Sequence, residues 1–411
     1  MDSKILPTNS IRLFYLSIFV LLFGGANVLH FIGWNIDYYA APTYQKLRPE
    51  FYILFIVFIS RLKNIEFSLT EISILIFTFF VFLYWLVIGQ TNGFAVLINT
   101  ICIPAIISLL LKYTNQKQRR FIAYIVLTFF IINSFLALYE RIFNVQIFQY
   151  YSGGESILSE YEYNEFRSTA LRNHPLGNSL LTSVIMSFIL ISNQIKVKYK
   201  FLLFVLGFLA IMSFNARSSI IIVAAATFGY FLYNLLFKRV TNFSKSNILI
   251  IIVFSIIVVA YFFTIGWGGR LLVEGNLNDS SVEARMLIYD RLLSSDLSMF
   301  LIGMSNEQIS KWAKMSHIES FWILYLCRFG IFVFLYYVFL FYKLLKYWIR
   351  ELLFVNKTYV ILIFILISSI NNSIYSGDPV IVVFILCAAT FGDLPDLYKK
   401  NNLNKKRFVL V

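Results

Sequence analysis

The sequence predicts an all-α polytopic integral membrane protein. Three observations carry this. First, 59% of the 411 residues are hydrophobic, mean hydropathy is +0.75, and only 14% are charged. That is too apolar for a soluble domain. Second, apolar runs near the length of a spanning helix, about 17 to 25 residues, recur along the whole chain. Third, basic residues concentrate in alternate connecting segments.

Twelve candidate spans follow in order, at 13–32, 44–60, 72–89, 94–111, 121–138, 175–192, 201–214, 218–237, 247–265, 318–342, 358–373 and 378–391. The first is longer than a signal-peptide core and lacks an A-x-A-like cleavage site, so it predicts a retained span. Lys46 and Arg48 interrupt the second. The seventh and twelfth are short. No internal repeat indicates two related halves. Residues 1–411 therefore read as one transmembrane domain.

With the N-terminus inside, the inner segments hold 23 Lys and Arg and the outer ones 11, with Arg328 inside a span. Acidic residues are biased the other way. The excess of Lys and Arg predicts both termini in the cytoplasm. The same excess accounts for the net charge of +14 without a nucleic-acid partner.

Two outer segments are long, 139–174 and 266–317. Long loops on a rigid scaffold are where function concentrates. The second has its own helix signal in DSSVEARMLIYDRLL. Ser280 and Glu283 form a capping-box pattern. Val282, Met286, Tyr289 and Leu293 recur at helical spacing, which predicts an amphipathic helix over 281–294 at the membrane surface.

Several chemistries lack their signatures. Cys102, Cys327 and Cys387 sit in apolar runs without CxxC spacing, so neither a disulfide framework nor a zinc site is expected. No H-E-x-x-H, glycine-rich phosphate loop or dinucleotide fingerprint occurs. No cofactor is expected.

The outer segments do hold Arg167, Arg172, Arg217, Arg270, Arg285 and Arg291, and every histidine, His30, His174 and His317, falls at an outer boundary. Arginine binds phosphate through a planar fork that stays charged. The competing reading of any one arginine is a side chain snorkelling to lipid headgroups. Arg217 lies in FNARSS, a hairpin that needs only small residues. Arg167 and Arg172 precede Asn173, His174 and Pro175, where a helix begins; its free N–H groups would add to an anion site. His317 and Glu319 open the next span and are alternative bases for a sugar hydroxyl; the competing reading is a polar helix end. Arg328 lies eleven residues past His317, about 16 Å along a helix. It would meet an acid, Asp378 being the nearest, or a lipid phosphate.

These residues resemble the O-antigen ligase and polymerase superfamily. The likeness runs over about 160–345. It rests on Arg167, Arg172, His174 and Pro175, on Ala216-Arg217-Ser218, and on Gly303 to Asn306 followed by His317 to Phe321 and Gly330. Leu176 departs from the family's common Asn after the proline. The resemblance implies a GT-C-like helical membrane enzyme with a large periplasmic loop carrying short helices, in the bacterial inner membrane. It implies a metal-independent glycosyltransferase whose donor is an undecaprenyl-diphosphate-linked oligosaccharide, with a chain-length regulator and a flippase as pathway partners. Polymerase is the first expectation; a ligase transferring polymer to lipid A core is the alternative, and a glycan flippase is third. On this expectation His317 or Glu319 is catalytic. Arg167, Arg172, Arg217, Arg285 and Arg291 bind the diphosphate, with His174, Arg270 and Arg328 as further candidates.

Overall fold

The computed structural model describes residues 5–34, 45, 47–88, 94–148, 151–152, 155–156, 166–172, 174–237, 280–315 and 318–392, with positions 253, 257, 260, 261 and 264. His317, Arg270 and most of the span expected at 247–265 lie outside the described residues.

The described chain is helical apart from one two-residue antiparallel pairing, Tyr151–Ser152 with Glu155–Ser156. The helices are α1 (Thr8–Phe23), α2 (Ala26–Phe31), α3 (Pro49–Arg61), α4 (Leu69–Ile88), α5 (Phe94–Leu97), α6 (Ile103–Lys112), α7 (Gln116–Phe143), α8 (Pro175–Ile191), α9 (Val197–Ser213) and α10 (Arg217–Phe237). After the second long segment begins come α11 (Ser280–Ser294), α12 (Asn306–Ala313), α13 (Phe321–Phe329), α14 (Ile331–Ile349), α15 (Phe354–Ser369) and α16 (Val380–Phe391). A π-helical turn, Ile98–Cys102, joins α5 to α6. Pro104 in the first turn of α6 cannot donate to the preceding turn, which accounts for the local break.

Three described helices, α7, α10 and α14, are long and apolar enough to cross a membrane, and several shorter apolar helices accompany them. This supports a helical membrane protein. The centre of the bundle is α8 and α16. Every residue of α16 is buried, as is nearly every residue of α8. A helix that is apolar all round belongs inside a bundle. Around this pair stand α7, α9, α10 and α15. Polar links join them: Ser179 to Ser219 at 2.9 Å, Tyr230 to Asn356 at 3.0 Å, and Thr227 to Tyr359 at 2.8 Å. Such interhelical bonds contribute about 0.6 kcal/mol each in a membrane.

The helix expected at 281–294 forms as α11, Ser280–Ser294. With α12, α13 and the intervening turn it buries a second apolar cluster of Ile288, Phe300, Met304, Ile309, Ala313, Ile318, Ile323 and Cys327.

The continuous span expected at 318–342 does not form. It breaks at Gly330, where φ is +81°, into α13 and α14. The two legs fold back on each other. Trp322 packs on Phe341 at 6.0 Å between ring centroids, and Tyr325 stacks on Tyr337 at 4.2 Å. Trp322 and Phe341 are 19 residues apart, a separation that one straight helix would stretch to about 28 Å. The reversal is possible because Gly330 and Gly303 bring two backbones together. A Cβ on either would collide with main-chain atoms of the other segment. The helix expected from residue 318 begins only at Phe321; His317, expected on one helix face with Arg328, lies outside the described residues.

The hairpin sets a depth. Phe321 opens α13 nine residues before Gly330, so the start of α13 lies about 13 Å from Gly330 along the bundle. The central helix α16 has twelve residues, about 18 Å, against about 30 Å for a hydrocarbon core. The segments that lead into α8, α13 and α16 are joined to one another at one end of this central pair.

Candidate functional site

Three segments meet at that end of the bundle. The first is 166–174, which leads into α8. Glu140 near the end of α7 organises it: its carboxylate accepts from Ser168 Oγ at 2.5 Å and from the backbone N–H groups of Thr169 and Ala170 at 2.9 Å. Asn133 accepts from the Leu171 N–H at 3.2 Å. A carboxylate and an amide on one helix thus fix the backbone that carries Arg167 and Arg172.

Arg172 is fully buried and committed to the protein. Its Nε and Nη2 donate to Asp378 Oδ1 at 3.3 and 3.1 Å, and its Nη1 donates to the carbonyls of Leu21 at 3.0 Å and Leu22 at 3.4 Å. Those carbonyls belong to the last turn of α1, where a cation is favoured. Burial first, then the charge of Arg48, lowers the Arg172 pKa to about 10; Asp378 acts against both. The other oxygen of Asp378 lies against Gly177 in the first turn of α8, where a Cβ would collide with it. The anion site expected from Arg172 and the α8 N-terminus is therefore filled by the chain's own carboxylate. Asp378, the nearest acid offered to Arg328 by the sequence, pairs with Arg172 instead.

His174 caps α8; its Nδ1 accepts from the Leu176 N–H at 3.2 Å. Asn173 lies outside the described residues. An accepting Nδ1 fixes the neutral tautomer with its proton on Nε2. The imidazole reaches solvent, yet protein surrounds it closely enough to lower its pKa to about 4, by burial and then by the charge of Arg167. Asp378 and Glu319 act on the same ring with the opposite sign.

The second segment brings α11 and the start of α13. Arg285 Nε donates to Glu319 Oε2 at 2.8 Å, and Nη2 donates to the same oxygen. The side chains are 24% and 37% exposed, so this pair remains open to a ligand. Arg291 is not part of it. Its Nη1 donates to the Trp312 carbonyl at 2.6 Å and ties α11 to α12.

The third segment is 370–379. Asn371 Nδ2 donates to the Leu176 carbonyl at 2.7 Å, and Asn372 Nδ2 donates to the Ile318 carbonyl at 3.0 Å. Two adjacent amides thus fasten the first turn of α8 to the residue before Glu319. Asn371, Asn372 and Asp378 were missed as site-builders. Their signal was the polar run NNSIYSGDP between two apolar runs.

Arg217 opens α10, and the Ser179–Ser219 contact places that turn beside the first turns of α8. Arg167, His174, Arg285 and Glu319 thus gather at one end of α8, with the turn that carries Arg217 beside it. Arg328 stands apart, at the far end of α13. Among the described residues no group of His, Cys, Asp and Glu could hold a metal ion. The arrangement offers guanidinium and imidazole donors to an anion, and one carboxylate to a proton. No protein-family model, curated protein or solved structure matches the chain.

Proposed function

We propose that this chain is a lipid-linked glycan polymerase. It moves a growing glycan from undecaprenyl diphosphate onto the terminal sugar of the next lipid-linked repeat unit, for O-antigen, capsule or exopolysaccharide. The observation that carries this reading is the convergence of Arg167, His174, Arg285 and Glu319 at one end of an apolar helical bundle, which the reading takes as a recess open to ligand. A lipid-borne diphosphate can enter such a recess from the bilayer, and sugars can enter it from water. The resemblance over 160–345 supports the same reading. On it the recess opens on the outer face of the bacterial inner membrane, with both termini in the cytoplasm. A flippase and a chain-length regulator act beside it.

Arg167, Arg285 and the Nε2–H of His174 bind the diphosphate and stabilise its charge as it leaves, with Arg217 beside them. Donors aimed at developing charge usually supply the largest single contribution to catalysis. The acceptor hydroxyl oxygen forms the new bond to the anomeric carbon. The old bond to the diphosphate oxygen breaks, and its electron pair leaves on undecaprenyl diphosphate. Glu319, released from Arg285 when that side chain turns to the diphosphate, takes the hydroxyl proton. No nucleotide or metal is required. His317 is the alternative base.

Gene deletion followed by gel analysis of surface polysaccharide tests the reaction. A polymerase leaves one repeat unit on the lipid core. A ligase leaves polymer stranded on its membrane lipid, and that outcome would replace this reading.

A further inference from the structure

Arg328 is 4% exposed, and among the described residues no carboxylate pairs with it. Its Nη1 donates to Asn306 Oδ1 at 2.9 Å and, at 3.5 Å, to the Met304 carbonyl. Its Nε is sealed from solvent and has no acceptor. A guanidinium held only by neutral groups inside a protein is costly unless an anion compensates it.

The second observation is what faces it. Asn306 is the first residue of α12, an eight-residue helix. Ser305 caps the Gln308 N–H, which leaves the N–H groups of Asn306 and Glu307 without an acceptor inside the helix. Glu307 itself turns to Lys311 on the exposed face, at 2.7 Å. A buried cation and the positive end of a helix dipole thus converge. Like signs repel, and an anion between them removes the conflict.

The surroundings indicate what carries the anion. Leu301, Ile302 and Phe332 are large exposed apolar side chains beside Gly330, two residues from Arg328. A freely soluble phosphate gains nothing from them. A phosphate on a hydrocarbon tail does.

We propose that Arg328 and the N-terminus of α12 form a second anion site, for a phosphate carried on a lipid tail. Resting on the proposed polymerisation, this is the diphosphate of the second lipid-linked substrate. The site lies at the opposite end of α13 from Glu319, about 12 Å along the helix axis. Polymerisation needs two lipid-linked diphosphates at once, and α13 separates a site for each while their sugars meet near Glu319.

The test counts undecaprenyl diphosphate bound to the purified full-length chain in phosphatidylcholine nanodiscs, by native mass spectrometry. The wild type binds two equivalents. Arg328→Gln binds one, with affinity for the second at least tenfold weaker, and Arg285→Ala loses the other one. Arg328→Lys keeps the charge without the fork; it folds and shows intermediate occupancy, which keeps the test open if the Gln variant is unstable. Two equivalents on Arg328→Gln, or a single wild-type equivalent that Arg328→Gln retains, overturn the proposal. Equal displacement by phosphatidylglycerol overturns its substrate assignment, and displacement by inorganic pyrophosphate alone overturns the lipid tail. If Arg328→Gln loses one equivalent while Arg285→Ala keeps both, the second site stands and the diphosphate site of the proposed function fails.

Discussion

Asp378→Asn isolates the contact that holds the recess together. Arg172 is 1% exposed and Asp378 12%, so the variant leaves a buried guanidinium without its countercharge. Removing one partner of a buried pair costs about 3–5 kcal/mol. Arg172 keeps the Leu21 carbonyl at 3.0 Å, which places the loss near the lower end, about 3 kcal/mol. Denaturation in mixed micelles measures it. Arg172→Gln combined with Asp378→Asn removes the stranded charge, and it should recover at least ~1 kcal/mol relative to Asp378→Asn alone. Gly177→Ala reaches the same carboxylate from the other side and should destabilise as well, because its Cβ needs the space Asp378 occupies. If Asp378→Asn stays within ~0.5 kcal/mol of the parent, the carboxylate is not the structural counter-ion of Arg172.

Three other outcomes are expected. Arg285→Lys keeps the charge and loses the two-pronged contact with Glu319, so glycan transfer should fall about 10- to 100-fold at unchanged protein level; full activity would make Arg285 a simple headgroup contact. The His174 pKa is lowered from 6.5 to about 4, so its stabilising contribution is complete above pH 6.5 and is lost as pH falls toward 4. His174→Gln should therefore show a shallower loss of thermal stability over that window, and an identical profile would mean that His174 does not cap α8 as a neutral ring. In a cysteine-free background, an impermeant maleimide on intact cells should label a cysteine at Glu307 and not at Lys198 or Glu351; the reverse pattern would invert the proposed sides.

The helical class was legible because a bilayer forces backbone groups to pair within each segment. Hydropathy therefore located α10 to within one residue and α7 to within five at each end. The capping signal at Ser280 located α11. What hydropathy could not show was the fold-back at Gly330. A hairpin of two apolar legs and one straight apolar span have the same composition, and only the φ of +81° separates them. Site residues divided along a similar line. Charge and position singled out Arg167, His174, Arg285 and Glu319, and the structure brings them together. They could not separate Arg172, which closes on Asp378, or Arg291, which bonds a carbonyl, because a structural arginine and a ligand-binding one look alike until their partners are known. Glu140 was hidden for the same reason: its four acceptor contacts come from backbone and serine groups that carry no charge signal.

The central claim is transfer between lipid-linked glycans at the Glu319 recess, and one reconstitution tests it directly. The purified chain is mixed with a lipid-linked repeat unit, without nucleotide and with a chelator present, and chain length is read on a gel. The wild type should build a ladder, while Glu319→Gln should accumulate unextended repeat units, with a rate loss of about 10²–10⁴-fold. A wild-type chain that never extends the repeat unit, or a Glu319→Gln chain that extends it at the parent rate, would contradict the account.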